Sequence, residues 1–301
     1  MEQVEGKKDL QGKVGFITGG ASGIGLGIAK VFVRNGMKVV IADLRQDHLD
    51  SALAYFDSQQ HRASVHGIRL DVTDRAAMAA AADEAERRFG KVHIVVNNAG
   101  VGLEGPLDKA TYEDWDFGIG VNLVGVVNGV QTFLPRIRRH GEGGHIVNTA
   151  SLAGMTATTM PAWMVIYTTT KAAVIAMSES LHTELPSTGI GVTVLCPGPI
   201  KSNIHEAWKN RPDQFKQNSG YKESEARLGR RIVPDVWMEP EQVGEMVVKA
   251  IKNDDLYIIT HGEWRDAVTA RYQAVMAATP TTNNPQLIET LRSPQLRAAT
   301  E

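Results

Sequence analysis

Hydrophobic residues recur along this chain in two patterns. Short runs rich in valine and isoleucine stand at residues 14–18, 38–42, 65–70, 92–97, 145–149, 192–196 and 256–260. Each is too short for a typical helix and lacks clean polar alternation, as expected of strands buried on both faces. Between them lie stretches with helical spacing, among them residues 24–35, 75–89, 112–139, 167–185 and 240–253. The second of these carries an alanine run and is a strong helix former. Strands alternating with helices through compact connections predict an α/β fold, a doubly wound, seven-stranded parallel sheet with helices on both faces. Ligands of such folds bind beyond the carboxyl ends of the strands, so the chemistry is sought there.

Composition narrows the picture only modestly. The chain has 301 residues, 43% hydrophobic and 22% charged, which is ordinary globular usage. A net charge of -2 gives no reason to expect nucleic acid or an anionic membrane as partner. The single cysteine, Cys196, excludes an internal disulfide framework and a cysteine zinc cluster, and no metal site is expected. Residues 117–135 carry no charge but include Asn122, Asn128, Gln131 and four glycines, so a helix buried against protein rather than lipid is expected. Residues 1–13 are charged and show no apolar secretory segment, which suggests a cytoplasmic protein. No linker-like stretch precedes residue 279. One catalytic domain, 1–261, is therefore expected, with 203–238 as a helical lid and 262–301 as a helical extension.

The first predicted strand runs into Gly19-Gly20-Ala21-Ser22-Gly23-Ile24-Gly25 and then a helix. Glycines let the backbone turn tightly and let a pyrophosphate approach the helix N-terminus, where free N–H groups favour anions. The spacing departs from the commonest dinucleotide fingerprint, and a plain tight turn would also explain it. Asp43 closes the second strand, 18 residues beyond Gly25. A carboxylate there can accept both adenosine ribose hydroxyls and would repel a 2'-phosphate, which favours NAD over NADP; the nearby Arg45 works against that preference. Asp71 and Val72 follow the third strand and suit an adenine edge. Asn97-Asn98-Ala99-Gly100 follows the fourth, where small residues permit close backbone approach. Each has an ordinary turn reading alone; falling at four successive strand ends, they point together to a nucleotide.

Tyr167 and Lys171 stand four apart, on one face of a helix. They open that helix after residues 146–170, which contain no charge. A lysine ammonium in such a site is expected to lower the phenol's pKa, and a phenol so tuned passes a proton to or from a substrate oxygen. Ser151, just past the fifth strand, can hydrogen-bond the same oxygen. Asn122 can hold a water that links Lys171 to solvent. Each also has a plain structural reading, as interface aromatic, solvated cation, turn residue or helix-interior contact.

Thr18-Gly19-x3-Gly23-x-Gly25, Asp71, Asn97-Asn98-Ala99-Gly100, Asn122, Ser151, Tyr167-x3-Lys171 and Pro197-Gly198-Pro199-Ile200-x-Ser202, in this order across residues 10–260, resemble the short-chain dehydrogenase/reductases. The resemblance implies a Rossmann-type fold, NAD(P)-dependent oxidoreduction at a CH–OH group, and a homodimer or homotetramer. It implies that Asn122, Ser151, Tyr167 and Lys171 form a catalytic tetrad, that Lys171 also holds the nicotinamide ribose, and that Ile200 and Ser202 hold the carboxamide. The cofactor set it outlines is Gly19, Ser22, Gly23, Ile24, Gly25, Asp43, Asp71, Val72, Asn98, Ala99, Gly100, Tyr167, Lys171, Pro197, Gly198, Ile200 and Ser202. Two features depart from the pattern: Ser202 stands where threonine is commoner, and the segment from Ser151 to Tyr167 is a few residues longer than usual.

That longer segment carries Met155, Met160, Pro161, Trp163, Met164, Val165 and Ile166, an apolar wall suited to a bulky hydrophobic or aromatic alcohol or ketone, or else to a subunit interface. Within the lid, Trp208, Phe215, Tyr221 and Trp237 are candidate pocket or core aromatics. Lys209, Arg211, Asp213 and Lys216 predict one solvated face. Short matches at Lys201-Ser202-Asn203-Ile204, Arg211-Pro212, Ser219-Gly220-Tyr221 and Leu256-Tyr257-Ile258-Ile259, with the long tail, are similar to the NAD-dependent Cα-dehydrogenases of lignin β-aryl ether breakdown. That likeness implies oxidation of a benzylic secondary alcohol to an aryl ketone. Alternatives are an alicyclic or steroid alcohol, or a 3-oxoacyl thioester on an acidic carrier docked at Arg136, Arg138 and Arg139, which would call for NADPH. A dinucleotide sensor without turnover is a third reading, opposed by the intact tetrad. In the extension, residues 263–278 place Trp264, Val268, Tyr272 and Val275 on one helical stripe, expected to pack on this subunit or a neighbour, and residues 286–291 suggest a short helix.

Overall fold

The computed structural model describes residues 9–185, 188–228, 232–282 and 284–287. Among these, seven strands alternate with helices: β1 (Val14–Thr18), α1 (Gly23–Arg34), β2 (Lys38–Asp43), α2 (Gln46–Ser58), β3 (Val65–Arg69), α3 (Arg75–Phe89) and β4 (Ile94–Asn97). There follow α4 (Tyr112–Ile119), α5 (Gly125–His140), β5 (Gly144–Thr149), α6 (Leu152–Met155), α7 (Val165–Glu184) and β6 (Ile190–Cys196). The short α8 (Asp213–Lys216) and α9 (Lys222–Leu228) precede α10 (Pro240–Asn253), β7 (Tyr257–Ile259) and α11 (Arg265–Ala278). The strand order is β3-β2-β1-β4-β5-β6-β7 and every pairing is parallel. The order reverses between β1 and β4, and that switch opens a crevice at the strands' carboxyl ends.

Burial on both faces follows from the period of two along each strand. Ile17, Val39, Ile41, Val96 and Val147 enter one core with α1, α2 and α10. Phe16, Val40, Val95 and Ile146 point the other way, into a core with α3, α5 and α7. In the second, the rings of Phe16 and Phe133 stand 4.6 Å apart.

The expected helix over 112–139 is divided. Between α4 and α5, Gly120–Val124 forms a π turn, one residue wider than the α ladder. Asn122 sits in it, fully buried, and its side chain grips the Val101 backbone at both ends, with Nδ2 donating to the carbonyl at 3.0 Å and the Val101 N–H donating to Oδ1 at 2.8 Å. Such bulges re-aim a side chain at functional positions. The span Tyr112–His140 is long and apolar enough to cross a membrane, and half of its most apolar window is buried inside the protein.

The chain divides into two compact units, Met1–Gly262 and Glu263–Glu301. In the second, α11 forms where the stripe predicts a helix, but Trp264 lies in the preceding turn and no residue of α11 is buried. Tyr272 and Val275 are 54% and 56% exposed. Most of the helix expected over 286–291 lies outside the described residues, as do residues 229–231 of the expected lid.

Phe133→Ala, which empties one ring of the Phe16–Phe133 contact, is expected to lower stability by about 3–5 kcal/mol. In urea titrations this would appear as a lower midpoint with an unchanged slope.

Candidate active site

The glycine turn after β1 is shaped by contacts that only glycine tolerates. A Cβ on Gly25 would lie 2.1 Å from the Gly19 carbonyl oxygen, and Gly19 itself adopts φ +60. Ser22, the N-cap of α1, makes no capping bond with its side chain; its hydroxyl instead donates to Asn203 Oδ1 at 3.3 Å. The helix therefore begins with N–H groups uncapped by that side chain, beside a backbone bare of side chains at Gly23 and Gly25. Ile24 follows in the first turn. Ser202 closes in from the far side: a Cβ on Gly23 would sit 3.0 Å from the Ser202 Cβ.

Asp43 ends β2 almost buried, accepting from the N–H of Ala21 at 3.2 Å and of Arg45 at 3.1 Å. Burial holds its carboxyl above the usual range, and the two N–H donors oppose that rise. Arg45 turns away to fork onto Asp47, with Nε donating at 3.0 Å and Nη2 closing the second bond. Asp71 spends one carboxylate oxygen on Thr73, at 2.9 Å to its N–H and 2.7 Å to its hydroxyl. Val72 is buried, and its carbonyl accepts from Asn128 at 2.9 Å.

At the end of β4 the side chains divide into structural and open roles. Asn97 is fully buried and donates to Asn148 at 2.9 Å. Asn98 donates to the carbonyls of Thr18 at 3.1 Å and Gly19 at 3.2 Å, so it stitches β4 to the glycine turn. Thr18 answers by accepting from the N–H groups of Asn98 at 2.9 Å and Ala99 at 3.1 Å. Gly100 leaves a gap: a Cβ there would meet Asn122 Oδ1 at 3.3 Å and Lys171 Nζ at 3.4 Å.

Those two side chains meet a third and a fourth. Lys171, on the second turn of α7, is buried and donates to the Thr149 carbonyl at 2.8 Å. Its Nζ lies 5.8 Å from the centroid of the Tyr167 ring. The Ser151 hydroxyl is close enough to the Tyr167 phenol to act on its ionisation. Ser151 is the N-cap of α6, accepting from Ala153 N–H at 3.1 Å, and its hydroxyl lies 3.5 Å from the Pro197 carbonyl. The Pro197 carbonyl also accepts from Leu152 at 3.0 Å, Gly198 N–H is held by Thr260 at 2.9 Å, and Ile200 is buried with a backbone bridge to Met238. Asn122 and Lys171 thus meet beside Gly100, with Tyr167 one turn earlier on α7 and Ser151 just past β5.

The electrostatics differ from the sequence expectation in one respect. Burial pushes the Tyr167 phenol up from its ordinary value, the Ser151 hydroxyl opposes that rise, and Glu104 and Cys196 add to it. Burial also brings the Lys171 ammonium down to about 8. The expected lowering of the phenol by lysine does not emerge: desolvation leads the shift, and the ammonium directs its hydrogen bond to Thr149. Cys196, pushed up to about 12 by burial, is an inert thiol.

Of the apolar wall, Met155 and Ile166 are buried while Trp163 is half exposed. Arg211, expected on a solvated face with Lys209, Asp213 and Lys216, is instead buried, because Asp114 and Glu225 bind its guanidinium. Asp114 is absent from the candidates that the sequence suggests. The signal that could have found it is the capping box formed with Thr111, an acid three residues past a threonine at a helix start.

This fold and site define a class. Residues 13–213 match the model of the short chain dehydrogenase family, and the chain belongs to that family, whose members use NAD(P) to act on alcohol groups. It is 42% identical to the C alpha-dehydrogenase of Sphingobium sp. (strain NBRC 103272 / SYK-6), over 93% of this chain and 90% of that one. Among solved structures, the short chain dehydrogenase/reductase of Burkholderia phymatum in complex with NAD superposes with a TM-score of 0.83 at 32% identity, covering 92% of this chain and 99% of that one. The apo form of LigO from Sphingobium sp. strain SYK-6 gives 0.72 at 40% identity, covering 97% and 95%. The crevice fits the dinucleotide on its own terms: bare glycine backbone at an uncapped helix start, a carboxylate closing β2, and a gap at Gly100 beside a buried ammonium.

A lysine whose folded pKa lies below its unfolded value opposes folding at neutral pH, and that penalty fades as pH rises from about 8 to 10.5. Lys171→Met should therefore gain stability relative to the parent at pH 7, by up to about 3 kcal/mol before the lost Thr149 bond is counted. The difference should shrink towards pH 10.5. Melting temperatures of both proteins without cofactor across that range test the sign; a constant gap would show that the ammonium is not desolvated.

Proposed function

We propose that this protein is an NAD-dependent dehydrogenase interconverting a bulky aromatic secondary alcohol and its ketone, with Tyr167 as the acid–base group. The observation that carries this reading is the buried Lys171 ammonium 5.8 Å from the Tyr167 ring, with the Ser151 hydroxyl acting on the same phenol. The glycine turn, Asp43, Gly100 and the Pro197–Ser202 segment would hold the dinucleotide. When bound there, the nicotinamide supplies hydride uptake or return at the carbon that bears the substrate oxygen.

The chain's own residues handle the oxygen and its proton. The Ser151 hydroxyl, fixed by its cap position, and the Tyr167 phenol together present two O–H groups to one substrate oxygen. In ketone reduction Tyr167 gives its proton to the oxygen as negative charge develops, and in alcohol oxidation it receives that proton. Lys171 supports the phenolate so formed, because a cation in a dry site acts more strongly than one in water. Asn122 grips Val101 and holds the strand-end loop in register with α7 through Thr170, to whose hydroxyl its Nδ2 donates at 3.2 Å.

The choice of NAD rests on Asp43 and on Arg45, which is forked to Asp47 and so turned from the role of a phosphate partner. The aromatic substrate rests on the likeness to C alpha-dehydrogenase and on the apolar cluster of Val101, Leu103, Phe117, Ile166 and Tyr221, whose Ile166 immediately precedes Tyr167. Against the acyl-carrier reading, Arg136 is bound to Asp83 and Glu86, while Arg138 and Arg139 pair with Glu184 and Glu86 from exposed positions.

A panel of aryl, alicyclic, steroid and acyl-thioester substrates, followed by NADH absorbance, tests the reading, and preference for any class other than aryl alcohols would displace it. Tyr167→Phe is expected to reduce turnover by about a thousandfold or more while NAD affinity stays within a few-fold. Retained turnover would remove the proton-transfer role. Asp43→Ala should narrow the preference for NAD over NADP by about tenfold or more, judged from the ratio of the two kcat/KM values. An unchanged ratio would remove the ribose assignment.

A further inference from the structure

A fully buried ion pair of the first unit lies outside the acid–base set. Ile204–Asn210, α8 and α9 are short helical pieces, none long enough to persist in water unaided. What ties them down is the carboxylate of Asp114, which has no exposed surface. Its Oδ1 accepts from Arg211 Nη1 at 2.8 Å and from the Ser219 hydroxyl at 2.7 Å. Its Oδ2 accepts from the N–H of Gly220 at 3.0 Å and, within its own capping box, from the N–H of Thr111 at 3.0 Å. Arg211, 2% exposed, binds Glu225 with its other arm and lies 4.7 Å over the Phe117 ring. A buried ion pair is costly unless its hydrogen-bonding groups are met; here three lid groups meet the carboxylate, while Arg211 Nε is buried without a partner.

The residue after Gly220 shows what the attachment positions. Tyr221 is buried against Gly105, where an added Cβ would fall 2.1 Å from its ring. It completes the apolar cluster of Val101, Leu103, Phe117 and Ile166. Val101 is the residue gripped by Asn122, and Ile166 immediately precedes Tyr167. At the other end of the segment, the Ile204 carbonyl would meet a Cβ on Gly102 at 3.3 Å. Both ends of the lid therefore rest on the loop after β4, the loop that also lines the acid–base residues.

We propose that Asp114 is the latch of the substrate lid, a positioning residue that, through Arg211, Ser219 and Gly220, seats Tyr221 beside the acid–base residues and so sets how tightly a bulky alcohol is held. This rests on the functional reading above. Removing the latch should loosen substrate capture while leaving the cofactor crevice, built from other strand ends, in place.

The test is Asp114→Asn in the full chain. Amides of residues 204–228 are expected to exchange with deuterium about tenfold faster, with those of β1, β4 and β5 unchanged. NAD affinity, from quenching of tryptophan fluorescence, should stay within about twofold. For an aryl alcohol that the parent oxidises, KM should rise about tenfold with kcat within about threefold. Ser219→Ala, which keeps the ion pair, should move exchange and KM the same way by less, and serves if the asparagine variant does not fold. Unchanged exchange in the lid, or faster exchange with unchanged KM, would overturn the proposal. If the parent oxidises no secondary alcohol, the functional reading fails, and lid exchange alone decides whether Asp114 is the latch.

Discussion

A buried ammonium is the constraint on which the proposed chemistry depends. Lys171 is withdrawn from water and donates to the Thr149 carbonyl, and its desolvation makes it both energetically expensive and electrostatically strong. In water a cation 5.8 Å from a ring would be screened to little effect; in a dry crevice it can support charge on the phenol. The same dryness pushes the phenol up when no ligand is present, so the site at rest holds its proton. The balance between those two consequences of burial is what a ligand entering the crevice would alter.

The sheet makes that burial possible. The proposed acid–base residues sit just past β5 or on helical segments, and β4 and β6, which flank β5, are dry on both faces. Asn98, Thr18 and Gly19 bind β1 to β4 where the strand order reverses, so the crevice is held open by hydrogen bonds rather than by bulk. The π turn at Asn122 belongs to the same construction. One extra residue in the helical turn lets a side chain reach the Val101 backbone from both sides, and Val101 then carries the loop over the site.

The parts legible in the sequence were those fixed by local rules. Short valine and isoleucine runs marked all seven strands, because parallel strands need no alternation, although β4 starts at Ile94 and β6 at Ile190 rather than at the edges of their runs. The spacing from Tyr167 to Lys171 placed both on one face of α7. The departures came from long-range effects. Arg211 reads as solvated beside Lys209 and Asp213, and only a carboxylate 97 residues earlier buries it. The phenol's shift depends on the depth of burial, which residue spacing does not encode. The π turn leaves no periodic mark, since its five residues are apolar apart from Asn122.

In the proposed reading, Asp114 joins the lid to the reaction in a way that the acid–base residues alone do not. Those residues are defined by the backbone at strand ends and would serve any secondary alcohol that reached them. In that reading, selection among alcohols comes from the proposed lid, which is made of short helices with little stability of their own. Discrimination by an apolar pocket is modest per methylene, so a lid that drifted would blur it further. A charge buried at the lid's root is a costly way to attach it, because an apolar contact would hold as well or better. An ion pair with fixed hydrogen-bond directions does, however, specify one seat for Tyr221. A purely apolar attachment would allow several seats, and the substrate surface would then vary with them.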